Sequence, residues 1–422
     1  MKTNRVNYLI AIVVYIFAFG VSYKLLVTKR FDYFGFGTGE YDLVSMFTMA
    51  AYMLLPAFFI PIKSERPSVF VYSIVYFVVY IPSLFVVFDK NLGFEINSHK
   101  ISLFLFLSIL INILSTRMKL IRFDLSYFSI GKDKVDYFIL FLTIAIVIIV
   151  LHKVSSNFSL ISIEEIYQKR AKVDNLNLGK MSYLISWLTV FLLPVLIARN
   201  FLKKKQLIVV IALLVYLFLY FTLGAKIYLF VIGYFVLAFG YVRRLNGLFV
   251  PYAFSAALLV PLILYVLNQS SLASTYIGVV NLRVFTIQGL AVPVYVDFFS
   301  EHAHTLFSHI SGVNFLIDYQ YDAMLSVLME REYGLGNFNA PYFVGDGYAG
   351  YGYPGMLFIA VIVSTFFYFL DSLAHKHDYR FVILSLSVFV VSFSNVSFAT
   401  SMLTGGGLLF ILYFAICSKK KM

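Results

Sequence analysis

Apolar runs of about 20 residues, the length an α-helix needs to cross roughly 30 Å of hydrocarbon, recur along this chain from end to end. They can be placed at about 7–27, 41–61, 69–88, 101–114, 136–151, 181–198, 206–222, 227–240, 248–267, 352–370, 381–397 and 405–417. Inside a bilayer every backbone N–H and C=O must be satisfied within the protein, so runs of this length read as helices. Composition agrees: 61% of residues are hydrophobic and 13% charged, against about 25% charged in ordinary globular chains. The expected fold is therefore an all-α polytopic membrane protein with about twelve transmembrane helices in one membrane domain over residues 1–422, with no soluble domain appended. The first run follows Lys2 and Arg5 as a signal peptide does, but it is too long and lacks a small-residue cleavage site. It reads as a retained span.

The formal net charge of +12 comes from short basic clusters between runs rather than from one stripe, so it signals topology and not nucleic acid. Lys63 and Arg66, then Arg117 to Lys134, Lys203 to Lys205, Arg243 and Arg244, and Lys376 with Arg380 occupy alternate connections. With Lys2, Arg5 and Lys419 to Lys421 on the same side, the positive-inside rule puts both termini in the cytoplasm. Two connections of mixed charge fall on the other face: an outer loop near 152–180 and a large outer loop near 268–351. Cys417 is the single cysteine, so no internal disulfide forms, and no Cys/His spacing suggests a metal.

In the first of these loops Ser162 and Glu165 have capping-box spacing, and Glu165/Lys169 and Arg170/Asp174 stand at i,i+4, which predicts a surface helix. In the second, Asp318 is placed to cap a helix running to Arg331, with Leu325, Leu328 and Met329 on one face and Gly334 at its end. Val279 to Phe299 is apolar but interrupted by Arg283, Gln288, Gly289 and Pro293, which predicts a broken or re-entrant element lining a cavity. The spans themselves hold little that is polar beyond Asn112 and Asn395, and no internal repeat is visible.

Three cations stand in apolar surroundings on the outer side: Arg170, Lys226 and Arg283. Guanidinium and ammonium groups are what a diphosphate needs, as a bidentate fork and a point charge. Against that, a lysine at a span end often snorkels to lipid headgroups, and Arg170 equally fits a solvated pair with Asp174. His302, His304 and His309 lie close together beside Glu301, and any one of them has the chemistry of a general base; exposed loop histidines are the plainer reading. Glu330, Glu332 and Asp346 are further acid/base candidates. The run Tyr342 to Gly355, rich in glycine and tyrosine, suits stacking on sugar rings, or else an interfacial aromatic belt.

This segment resembles the O-antigen polymerases of the Wzy type, a family of bacterial oligosaccharide repeat-unit polymerases. The likeness rests on Asn339-Ala340, Asp346, Tyr348-Ala349, Gly352 and Gly355 before a span, on Gly224-Ala225-Lys226, and on Arg283 ahead of Gln288-Gly289-Leu290. Lysine at 226, where relatives often have arginine, departs from the pattern.

The resemblance implies a metal-independent, GT-C-like glycosyltransferase without cofactor, working at the periplasmic face of the bacterial inner membrane. Donor and acceptor are undecaprenyl-diphosphate-linked oligosaccharides, with membrane lipids, a chain-length regulator and a flippase as further partners. Arg283, Lys226 and Arg170 are then expected to bind diphosphate, Asn339, Tyr348 and Tyr351 to bind sugar, and Asp346, Glu330 or His302 to act as base. Two other readings remain open on the sequence: a lipid-linked oligosaccharide flippase and an O-antigen ligase. The long late loop and sparse charge within the spans favour the polymerase over the flippase. His302 keeps the ligase open.

Overall fold

The computed structural model describes residues 2–37, 41–89, 92–121, 123, 130–159, 179, 181–225, 227–244, 247–267 and 270–418. Among them nine helices are long and apolar enough to cross a membrane: α1 (Arg5–Arg30), α3 (Pro67–Val87), α4 (Ser98–Ser115), α5 (Lys134–Asn157), α6 (Met181–Leu202), α7 (Gln206–Leu223), α9 (Phe249–Val266), α10 (Ala273–Glu301) and α12 (Phe343–Ala374). Three shorter apolar helices accompany them, α2 (Leu43–Phe58), α8 (Ile227–Arg243) and α16 (Gly407–Ile416). Short helices α11 (Leu325–Tyr333), α13 (Tyr379–Ser385), α14 (Ser387–Asn395) and α15 (Phe398–Leu403) complete the set. The chain is an all-α, multi-pass membrane protein.

α3 is the hub. Its membrane-length window is wholly buried by other helices, which is why it is apolar on every face. Pro82 and Pro194 lack the N–H that a helix interior uses, and their rings crowd the carbonyl four residues back. Widened π turns at Tyr76–Tyr80 and Leu188–Leu192 lie immediately before them and absorb that clash without breaking either helix.

Polar ties fix the helices axially. Asp371, near the end of α12, accepts from Ser68 N at 3.0 Å and Ser68 Oγ at 2.6 Å, so it satisfies the exposed start of α3. Asn112 of α4 donates to Ala360 O and Ser364 Oγ of α12, each at 2.8 Å, and accepts from Tyr342 Oη. Asp371 lies one residue past the run placed at 352–370, yet it is 2% exposed because the helix continues to Ala374.

The basic connections gather at one end of the bundle. Gly247 N donates to Ile62 O at 2.7 Å, Arg117 Nε to Phe59 O at 3.0 Å, and Lys376 Nζ to Phe123 O at 2.5 Å. Both ends of the described part of the chain lie there too: Arg5 bonds Ile60 O, and the two-residue strand Cys417–Ser418 pairs in parallel with Ile130–Gly131.

At the far end, Tyr23 Oη donates to Asp89 at 2.6 Å. α10 begins against Leu26 and Phe31 there, and ends with Asp297 accepting from Tyr333 Oη at 2.8 Å beside Phe94. Its middle reaches Tyr15 through Phe285, so it enters and leaves by the same end.

Several expectations change in detail. Within the 268–351 segment, Val279–Phe299, expected as a broken or re-entrant element lining a cavity, is helical on both sides of the long π segment Ile277–Thr286 and is re-entrant, since both ends of α10 lie at the far end of the bundle. α12 extends back to Phe343, but it is kinked at Tyr351 and Gly352, so the run placed from 352 matches the part beyond the kink. The run 381–397 divides at Leu386 into α13 and α14. α11 starts at Leu325 behind Met324, not at Asp318, though Leu325 and Met329 are buried and Gly334 closes it in a left-handed conformation, as the pattern predicted. The helix expected after Ser162 lies outside the described residues.

Candidate functional site

At the far end, a polar cavity of about 290 Å³ opens beneath the 302–324 connection. Its wall is built from Tyr295 of α10, His309, Asn314 and Tyr319 of the connection, Leu325 and Ser326 of α11, Asn339, Ala340 and Gly345 before and within α12, and Ser397 and Thr400 around α15. Amides, hydroxyls and aromatic rings dominate. Such a lining suits a polyhydroxylated ring, which offers many weak donors and acceptors plus an apolar face.

Local backbone chemistry positions these groups. Asp346 sits in a π turn, Phe343–Tyr348, at the head of α12, just ahead of a kink at Tyr351 and Gly352 where the backbone leaves helical geometry before the helix resumes. Gly352 has φ +61°, a conformation that resists side chains, and a Cβ there would stand 3.0 Å from His304 Nε2. The turn carrying His309 is itself strained: Leu306 and Phe307 both have positive φ, at 50° and 66°. Phe307 is held down on Gly350, where any Cβ would lie 2.4 Å from its ring.

Behind the cavity wall two titratable groups face one another. Asp346 is 0% exposed; its Oδ2 accepts the Phe398 N–H, and its Oδ1 stands 3.7 Å from His309 Nε2. Both facing atoms are buried without a hydrogen bond among the described residues. The other ring nitrogen, His309 Nδ1, lies 2.6 Å from Thr305 Oγ1, and that hydroxyl is 3.0 Å from Ala349 O. Nearby, burial holds the His304 pKa below the usual histidine value, opposed by a hydrogen bond to the Tyr348 backbone.

Of the residues singled out from sequence, Asn339 lines the cavity, Asp346 stands directly behind it, and Tyr348 is buried on the same π turn with its ring 5.5 Å from His304. Glu330 is exposed on α11, whose first residues line the cavity. Tyr351 is 57% exposed and lies outside the lining. His302 stacks on Phe298 at 4.1 Å, with Nδ1 2.9 Å from Phe298 O, at the end of α10.

Arg283 is partly buried in the π segment of α10 and does not line the cavity. Lys226 and Arg170 lie outside the described residues, so the expected three-cation cluster has one described member. Arg283's helix does form one wall of a second, apolar cavity of about 390 Å³, through Val280, Val284 and Phe285, facing Leu229 and Phe230 of α8 and Ala253 of α9.

Sequence reasoning passed over Thr305, Tyr295, Tyr319 and Ser397, and did not select His309 from its cluster. The one available signal was the i,i+4 spacing of Thr305 and His309. Among the described residues no group of three or more His, Cys, Asp or Glu is placed to hold a metal ion.

The fold defines the class as a multi-pass, all-α membrane protein. No protein-family profile, curated protein or solved structure matches the chain.

Proposed function

We propose that this protein is a membrane-embedded glycosyltransferase, GT-C-like in organisation, that polymerises undecaprenyl-diphosphate-linked repeat units into O-antigen or a related surface polysaccharide. It works at the periplasmic face of the bacterial inner membrane, with both termini in the cytoplasm. The observation that carries this reading is the polar, aromatic-bearing cavity of about 290 Å³ at the end of the bundle away from the basic loops, with Asn339 in its wall and Asp346 behind it. Both residues belong to the segment whose pattern resembles the polymerases.

A second feature supports the lipid-linked character of the substrate. The apolar cavity between α8, α9 and α10 suits a polyprenyl chain, and the helix forming its wall carries Arg283. In this reading the guanidinium holds the donor diphosphate and stabilises it as it departs with the bonding electron pair of the anomeric C–O bond. The acceptor hydroxyl oxygen forms the new bond to that carbon and loses its proton.

The test is the purified protein in liposomes with an undecaprenyl-diphosphate oligosaccharide, products resolved by gel. A ladder of two or more units is expected, and Arg283→Ala should leave single units. Movement of substrate across the bilayer without chain growth selects the flippase, and transfer to a lipid core without growth selects the ligase; either outcome removes the polymerase reading.

A further inference from the structure

The polymerase reading names Asp346 only as one of three expected bases and assigns no role to His309, which faces it behind the cavity. Thr305 Oγ1 has one proton and two acceptors within reach, Ala349 O at 3.0 Å and His309 Nδ1 at 2.6 Å. If the hydroxyl donates to the carbonyl, Nδ1 must carry a proton and donate to the hydroxyl oxygen. That leaves Nε2 to meet Asp346 Oδ1 across 3.7 Å. A neutral imidazole lone pair opposite an ionised carboxylate is then untenable: two acceptors would oppose each other, and an uncompensated charge would sit on a residue 0% exposed. One proton between them removes both penalties, as imidazolium with carboxylate or imidazole with carboxylic acid.

We propose that His309 and Asp346 hold one shared proton, oriented by Thr305, and that this clamp fixes the turn 305–309 against α12 and so builds the cavity wall. Asp346 is thereby a positioning residue, not the group that touches substrate: its Oδ2 is taken by Phe398 N–H and its Oδ1 faces His309 Nε2 at 3.7 Å. His309, whose side chain is 9% exposed, is the member that lines the cavity. The clamp also explains how a turn with Leu306 and Phe307 at positive φ is held closed. Because the proton neutralises the pair, the wall presents no net charge there. Among the described lining residues there is no Lys, Arg, Asp or Glu. The cavity therefore takes an uncharged sugar ring, and the diphosphate binds elsewhere. This assignment of occupant rests on the polymerase reading, whereas the shared proton does not.

The clamp is enclosed by every element packed around the cavity wall. The other titratable groups facing it are Tyr295 from α10, His304 and Tyr319 from the connection, and Tyr348 from α12; α15 contributes only Ser397 and Thr400 to the lining. Asp346→Asn keeps the clamp without a shared proton, since the amide donates to Nε2 and its carbonyl still accepts from Phe398. Asp346→Leu removes it.

The test has two arms. With 15N-histidine labelling of the full-length protein in nanodiscs, His309 is expected to show a protonated Nδ1, and an Nε2 signal that moves in Asp346→Asn. An unprotonated Nδ1, or a His309 signal indifferent to Asp346, overturns the clamp whatever the protein does. In polymer synthesis, Asp346→Asn should retain clearly more activity than Asp346→Leu, which drops at least about tenfold. Equal loss in both variants makes the carboxylate itself the reacting base and overturns its positioning role. Normal spectra with no synthesis by any form leave the clamp standing and remove the polymerase reading.

Discussion

Asn112 and Asp371 show how single polar side chains work in an otherwise apolar bundle: each ties two helices and each is fully engaged. Replacing Asn112 with leucine strands the buried Tyr342 hydroxyl and frees two acceptors on α12. The expected loss is about 1–3 kcal/mol, read as a lower melting temperature in detergent or nanodiscs; an unchanged midpoint refutes the tie. Gly350→Ala is expected to act locally by pushing Phe307 off α12, at a similar overpacking cost, and to weaken sugar binding more than it lowers the melting temperature. Affinity for a short acceptor glycan, measured by calorimetry, checks this. At this scale the sequence was partly readable. Asn339 and Asp346 stood out because glycines and aromatics surround them. His309 and Thr305 did not, because their partners, Asp346 and Ala349, lie in a different element.

Among the elements, α10 is re-entrant as its sequence pattern suggested, with the interruptions held in helical backbone. Arg283, Gln288, Gly289 and Pro293 look like breaks in a lipid-facing helix, yet the chain stays helical through them. Gly289 is the reason it packs: a Cβ there would meet Pro82 O and Val86 Cγ2 at 2.9 Å, so glycine lets α10 rest on α3. Gln288 meanwhile donates to Asn395 Oδ1 at 2.5 Å. Gly289→Ala is expected to destabilise by about 1–3 kcal/mol through forced separation of two backbones. Gly233→Ala, where nothing stands within 4 Å, should be neutral or slightly stabilising from helix propensity alone. Equal melting shifts for the two would rule out the close approach. Hydropathy found α3 well because length and apolarity are local; at α10 it could not tell an interruption that breaks a helix from one that serves its neighbour.

For the whole molecule, the basic clusters and the contacts agree that loops near 62, 117, 247 and 376 share one end while the 302–324 connection occupies the other. Cysteine introduced at Phe315, 89% exposed, should therefore react with a membrane-impermeant maleimide from the face opposite to cysteine at Lys204 in sealed, oriented vesicles. Native Cys417 is buried and leaves a low background. Labelling of both from one face would overturn the topology. Most of the apolar stretches were legible because each obeys a rule about its own residues, whereas the run 381–397 divides in two and α10 was not placed among them. The site was not, since it forms where four separated segments converge.

The enclosure of α3 divides the helices by the environment each answers to. With no lipid neighbours along its membrane-length window, α3 is insensitive to acyl-chain length, while α5, only 28% buried, carries most of its surface in the hydrocarbon. A thinner or thicker bilayer is therefore met by tilting at the periphery, and the scaffold on which α10 rests keeps its shape. Activity should then vary little across lipids of different tail length, even as the outer helices reorient.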